Sequence, residues 1–342
     1  MRKHVLTAAL ALCASIPDAF ATTAATSPVG FQTAETTHSL SALGTNLVNR
    51  ALITGLVRAN TGDAVALAAP FINAGTVLSP DVPAYIEVMD GPLVGERFDV
   101  DVPATIAAAG TTIIVQTATP NNNTLASLPG DVLAGVRIEL RNHITIGQVQ
   151  AMFTPALTGS DSLSDADQLF LFRDGSFEVF YLRGDGAEWR NAVTDDRNCQ
   201  NEPIAPGVGF FLKRSHDGPV TMTQLGAVRT TPAFRQNLTA GLELVSLGFP
   251  GEMSPAELNA TPAPYGTWTG SATPAQADQL MVFDEATAGF RIYYLQPDGS
   301  WCSVTQDGTD YRNAPVLAAG RAFFIKRGAA DSLNDYSRPF GL

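Results

Sequence analysis

From about Leu47 onward the apolar positions of this chain fall in short, often β-branched runs, cut at close intervals by turn residues. Phe98-Asp-Val-Asp-Val102 alternates with period two, the pattern of a strand with one buried face. Further strand candidates cover 47–59, 64–68, 84–89, 112–117 and 136–146, with turn chemistry at Asn60-Thr-Gly-Asp63 and Asp90-Gly91-Pro92. Together they predict a small β-barrel or sandwich over residues 45–135. Residues 22–44, rich in Thr, Ala and Ser with an apolar patch at Pro28-Val29-Gly30-Phe31, predict an extended leader. Helix signals are scarce. Ser254-Pro255-Ala256-Glu257 combines an N-cap, a first-turn proline and a capping-box glutamate, which predicts a short helix at 255–260. A single helical turn is expected within 147–153.

The second half of the chain repeats itself. Ala166-Asp-Gln-Leu-Phe-Leu-Phe172 returns as Ala277-Asp-Gln-Leu-Met-Val-Phe283. Asp185-Gly186 before Trp189 returns as Asp298-Gly299 before Trp301, and Phe210-Phe-Leu-Lys-Arg214 as Phe323-Phe-Ile-Lys-Arg327. Similarity at one near-constant offset is the mark of a repeated structural unit. Two related β modules are therefore expected at 136–228 and 229–335, with Ile138–Phe153 and Leu242–Phe249 as loosely matching lead-ins. The expected fold class is all-β with little helix.

Composition narrows the function classes. Of 342 residues 45% are apolar and 16% charged, a foldable chain, and the formal net charge is −12. That charge argues against nucleic acid and against an anionic membrane surface. A basic Arg2-Lys3-His4, an apolar run from Val5 to Ile16 and Ala19-Phe20-Ala21 predict a signal peptide over 1–21, cleavage near Ala21 and export. No later run has the length of a membrane span. Cys199 and Cys302 then remain in an oxidising compartment, at non-equivalent points of the two copies. A disulfide between them would tie the copies together; the alternative is two free thiols.

Pro28-Val-Gly-Phe31, Gly91-Pro-Leu-Val-Gly-Glu-Arg97, the Asp-Gln-Leu openings and the Phe-Phe-Leu/Ile-Lys-Arg closings resemble an uncharacterised family of exported proteins found chiefly in verrucomicrobia. The resemblance implies export and a β-rich repeat. It brings no catalytic residues with it.

Candidate chemistry is thin. His38, His143 and His216 are scattered, and neither a Gly-x-Ser-x-Gly elbow nor a His-Glu-x-x-His helix occurs. His143, inside an apolar run, reads as structural. The acidic stretch from Ser160 to Asp167 lacks the central glycine and closing glutamate of a calcium loop, so no metal is assigned. No cofactor motif is present, and Asp167 and Asp278 read as structural turn residues. The best ligand clue is Trp189 and Trp301, with Asp185, Asp298 and Arg190 beside them. Exposed indoles could stack on sugar rings while the polar groups bind hydroxyls; buried indoles would simply pin the turns onto a core. The expectation is a non-enzymatic structural or adhesive protein, exported to the envelope or beyond. Its partners would be polysaccharide, other envelope proteins or copies of itself. Carbohydrate binding through the tryptophans is the alternative.

Overall fold

The computed structural model describes residues 28–68, 74–108, 110–116, 125–184, 188–194, 197–305, 307–328 and 332–340. They are mostly strand, and no helix among them exceeds seven residues. The signal-peptide expectation over residues 1–21 lies outside the described residues.

Two strands lead: β1 (Val29–Thr36) and β2 (Leu40–Gly44). Six more form one antiparallel sheet: β3 (Ile53–Thr61), β4 (Ala64–Leu67), β5 (Ala84–Val88), β6 (Arg97–Val100), β7 (Thr112–Ile114) and β8 (Arg137–Asn142). Their order is β6-β5-β8-β3-β4-β7. Its two end strands are drawn together by Asp101 N–H on Ile114 O and Gln116 N–H on Asp99 O, both 2.8 Å, so the sheet curls round its core. That core includes Val57, Val65, Ile86, Phe98, Ile138 and Leu140. Ile138 and Leu140 hold β8 in the middle of this sheet. The body therefore runs to Asn142, past the expected boundary at residue 135.

The first module contains β9 (Ile144–Thr145), β10 (Phe153–Thr154), β11 (Gln168–Arg173), β12 (Ser176–Leu182), β13 (Trp189–Asn191), β14 (Pro203–Ile204), β15 (Gly209–Lys213) and β16 (Val220–Ala227). The second contains β17 (Ala233–Leu238), β18 (Gly241–Ser246), β19 (Gln279–Asp284), β20 (Gly289–Leu295), β21 (Trp301–Ser303), β22 (Ala322–Arg327) and β23 (Ser332–Ser337). Each builds a five-stranded sheet of the same order, β13-β12-β11-β15-β2 and β21-β20-β19-β22-β18. The fifth strand of the first sheet is β2, which precedes the six-stranded body in sequence.

This corrects the expected leader at 22–44. Its described part supplies two strands of the first module: β2 pairs with β15 as β18 pairs with β22, and β1 pairs with β16 as β17 pairs with β23. The counterpart of Leu242 is Leu40, opposite Lys213 as Leu242 is opposite Lys326, and the lead-in at Ile138–Phe153 has no such place. The six-stranded body is inserted into the first module, between β2 and β9.

Each sheet turns one face to its own core and the other to its counterpart. Period-two alternation decides this: Leu169 and Leu171 point into the module, while Phe170 and Phe172 point out to the seam. There Phe172 meets Phe324 edge-on at 5.4 Å and Phe211 meets Phe283 at 5.3 Å, a pair of contacts related by a pseudo-twofold axis. Near the axis the backbones touch. Gly44 N–H donates to Gly320 O at 3.0 Å, and its counterpart Ser246 N–H to Gly207 O at 2.8 Å. A Cβ on Gly44 would overlap Ser246, and one on Gly209 would overlap Ala322. At each crossing only one of the two facing positions has room for a side chain.

The inserted body is fixed to the modules by buried charge. Glu87 Oε1 accepts from Arg229 Nε at 2.5 Å, and Arg141 Nε lies 3.7 Å from Glu87 Oε2. Arg229 also donates to Gly248 O at 2.6 Å, and Arg97 lies over the Phe234 ring at 3.9 Å. Burial, reinforced by Glu87, pushes the Tyr85 hydroxyl beside this cluster up to about 12.

The expected helix at 255–260 is a hydrogen-bonded turn. The capping box forms, with Ser254 N–H on Glu257 Oε2 at 2.7 Å and Glu257 N–H on Ser254 Oγ at 3.3 Å. Pro262 and Pro264 follow too soon for a helix to propagate. At 147–153 a helical turn does occur, over Ile146–Gln150, with a complete Thr145/Gln148 capping box.

Candidate functional site

Trp189 and Trp301 occupy equivalent places, opposite Leu182 and Leu295 on the neighbouring strands. Both have 0% exposure. The Trp189 indole N–H donates to Gln150 Oε1 at 2.8 Å, and that of Trp301 to Ala260 O at 3.0 Å. Trp268 packs edge-on against Trp301 at 5.8 Å. With both faces covered and the single donor used, neither indole can stack on a sugar ring, which corrects the ligand-binding expectation for these two residues. They pin their turns to the cores.

The Asp-Gln-Leu openings are likewise consumed by structure. Asp167 Oδ2 accepts from Thr158 N–H at 2.8 Å, and Oδ1 accepts from Ser215 N–H at 2.7 Å. Asp278 repeats this with Thr269 N–H and Gly328 N–H, both at 2.8 Å. The arginine of each closing motif lies against the same carboxylate: Arg214 Nε is 3.8 Å from Asp167 and Arg327 Nε 2.7 Å from Asp278, all four side chains buried. Gln168 and Gln279 each tie back to a carbonyl five residues earlier, Leu163 O and Pro274 O. The repeated motif is thus a clamp closing the loop before the first strand onto the end of the last.

The remaining candidates disperse. Asp298 bonds its own turn, accepting from Ser300 N–H at 2.9 Å and Ser300 Oγ at 2.7 Å, and the Ser300 hydroxyl holds its carboxyl below the usual carboxylate range. Arg190 is bound to Glu188 at 2.5 Å, and its counterpart in the second module is Cys302. Asp185 lies outside the described residues. Cys199, in the loop between β13 and β14, and Cys302, on β21, are free thiols, so the bridge between copies is not formed. Cys199 is buried behind β13, and burial pushes its thiol up. His143 is structural in geometry: Nε2 lies 2.9 Å from Asp99 Oδ1 and the ring packs on Tyr85 at 4.7 Å. Among the described residues no group of three or more His, Cys, Asp or Glu is placed to hold a metal ion. No helix among them is long and apolar enough to cross a membrane.

Three surface features stand outside these structural roles. A groove of about 360 Å³ lies between the inserted body and the first module, lined by Pro80, Asp81, Pro83, Asp101, Gln116 and Pro203 among others. Its Asp101 is a helix cap, accepting from Ala104 N–H at 2.9 Å. On the second module Tyr265 is 91% exposed in the turn begun by Pro262, and a Cβ on Gly299 would lie within 4 Å of both Pro262 and Arg312. That turn therefore adjoins Asp298-Gly299.

The third feature is the outer edge of β1. In the three-stranded order β1-β16-β10 it is an end strand, pairing with β16 along its whole length. Val228 N–H donates to Pro28 O at 2.8 Å, which makes the even-numbered residues of β1 the hydrogen-bonded partners of β16. The N–H and C=O groups of Val29, Phe31 and Thr33 then point away from the sheet. Val29 is 79% exposed, Phe31 71%, and Leu225, directly opposite Phe31, 73%. These three form an apolar patch on the solvent face. Thr33, Thr221, Thr223 and Glu35 continue that face, and Glu35 is its only charged residue in the two strands. The apolar patch at Pro28–Phe31 is visible in the sequence, though as part of a leader; the exposed Leu225 opposite Phe31 carries no local mark and is defined only by the β1–β16 register.

Compared with protein-family models, curated proteins and solved structures, the chain matches none.

Proposed function

We propose that this is an exported, non-enzymatic structural or adhesive protein of the cell envelope or extracellular space, working through the outer edge of β1. The observation that carries the reading is an edge strand whose outward backbone groups at Val29, Phe31 and Thr33 meet no partner among the described residues, with an exposed apolar patch beside them, presented on a double module. Open edges are normally shortened, charged or covered, because they pair with other chains. Exposed apolar clusters on a soluble protein mark places where something docks. The repeat-related tryptophans, aspartates and arginines support the same reading, since they serve rigidity in both modules.

The test is co-sedimentation of the purified full chain with envelopes from cells that produce it, beside Phe31→Lys. Retention weakened about tenfold or more in the variant is expected, the loss of one buried aromatic contact. Equal retention of both proteins, a chain that stays in the cytoplasm, or hydrolysis of an envelope polymer would each overturn the proposal.

A second reading is polysaccharide binding on the second module, favoured by the exposure of Tyr265 beside Asp298-Gly299 and Arg312. It moves the stacking role from the buried tryptophans to a tyrosine whose ring is free. Glycan retention lost in Tyr265→Ala and kept in Phe31→Lys would select this reading over the first.

A further inference from the structure

We infer that the chain pairs with a second copy of itself, β1 against β1, through an antiparallel edge-to-edge contact centred on Phe31. The inference rests on the interaction role proposed for this edge and names the partner. Its strongest support is internal. Strand β17 of the second module is the counterpart of β1: Gln32 and Ala34 sit over Gly320 as Phe234 and Gln236 sit over Gly207. By the same register Thr33 corresponds to Arg235 and Phe31 to Ala233.

In the second module that outward edge is capped by the chain itself. Arg235 N–H donates to Gly95 O at 3.3 Å, and the Arg97 guanidinium donates to Arg235 O at 2.8 Å. A Cβ on Gly95 would come within 3 Å of the Ala233 carbonyl, so two backbones meet there directly. The inserted body thus caps one of two equivalent edges. At the other, Arg321 reaches Glu35 O, and no described backbone group meets Val29, Phe31 or Thr33 from outside.

At this edge charge does not oppose a copy of the same strand. Two chains of net charge −12 repel, and association is least opposed where neither surface is charged. The β1 edge from Val29 to Thr33 is such a surface. With Phe31 facing Phe31 of the second copy, the Phe31 N–H of each donates to the Phe31 C=O of the other. Val29 of one copy then pairs with Thr33 of the other, and each Glu35 falls beyond the paired segment. Both apolar patches lie on the same face of the joined sheet, where Val29, Phe31 and Leu225 of the two copies meet. A contact of this size sits at the small end of specific interfaces, so the dimer should depend on concentration.

Sedimentation equilibrium of the full chain over a concentration series tests this, with Phe31→Lys and Thr33→Pro beside it. Proline at residue 33 removes only an outward N–H, which edge strands tolerate, so both variants should keep the parent melting temperature. Association weakened about tenfold or more in each variant, with folding unchanged, is expected. A parent chain that stays monomeric throughout, or a dimer that persists in both folded variants, overturns the inference. The envelope assay separates it from the functional proposal. A monomer retained on envelopes through Phe31 would mean another partner uses the edge; a β1-dependent dimer that ignores envelopes would leave the pairing standing and sink the adhesive role.

Discussion

Trp301→Ala is expected to lower the unfolding free energy by about 3–5 kcal/mol, a large part of what holds a typical domain folded. The indole has no exposed surface, its N–H is bonded to Ala260 O, and Trp268 lies edge-on against it. Removal leaves a cavity, an unpaired carbonyl and a stranded aromatic neighbour. Trp189→Ala should cost a similar amount, because Trp189 fills the equivalent place and anchors the helical turn through Gln150. Urea denaturation measures both. A change below about 1 kcal/mol in either variant, joined to loss of polysaccharide retention, would return the tryptophans to a binding role.

Glu87→Ala is expected to destabilise by about 3–5 kcal/mol, the cost of removing one partner from a buried ion pair. Glu87 is fully buried and lies against Arg229 and Arg141, which belong to different bodies of the fold. Without it two guanidiniums face each other in the junction with less compensation. The effect should also change form, since the inserted body is fixed partly through this residue. The unfolding transition should broaden or split, and limited proteolysis should cut between Gly44 and Ile144 before the modules. Glu87→Gln, which keeps the shape and one acceptor, should cost less. A sharp single transition within about 0.5 kcal/mol of the parent for Glu87→Ala would refute this account of the junction.

The all-β class was legible because period-two alternation and turn residues are local signals, and they survive without knowledge of the fold. Strand-level correspondences such as Leu169–Phe172 with Leu280–Phe283 were legible for the same reason. The permuted connection was not. Leu40-Ser-Ala-Leu-Gly44 and Leu242-Glu-Leu-Val-Ser246 share little beyond small and apolar residues, because each was shaped by a crossing where only one side has room. A strand that pairs across an inserted body has no local mark of its partner. Sequence also could not decide whether Trp189 and Trp301 were buried, since a tryptophan shortly after an Asp-Gly turn suits a core pin and an exposed platform equally. The charged junction was invisible for another reason: Glu87, Arg97, Arg141 and Arg229 are spread over more than a third of the chain and meet only in space.

Amide hydrogen exchange along β1, followed against protein concentration, tests most directly that this edge is the working surface. In dilute solution the account predicts fast exchange at Phe31 and Thr33, whose N–H groups point outward, and slow exchange at Gln32 and Ala34, which bond to β16. At high concentration Phe31 and Thr33 should become protected while their neighbours stay unchanged. Protection of Phe31 and Thr33 at every dilution would mean the edge is already closed within one chain. Fast exchange at every concentration would mean that nothing pairs with it, and either result would contradict the account.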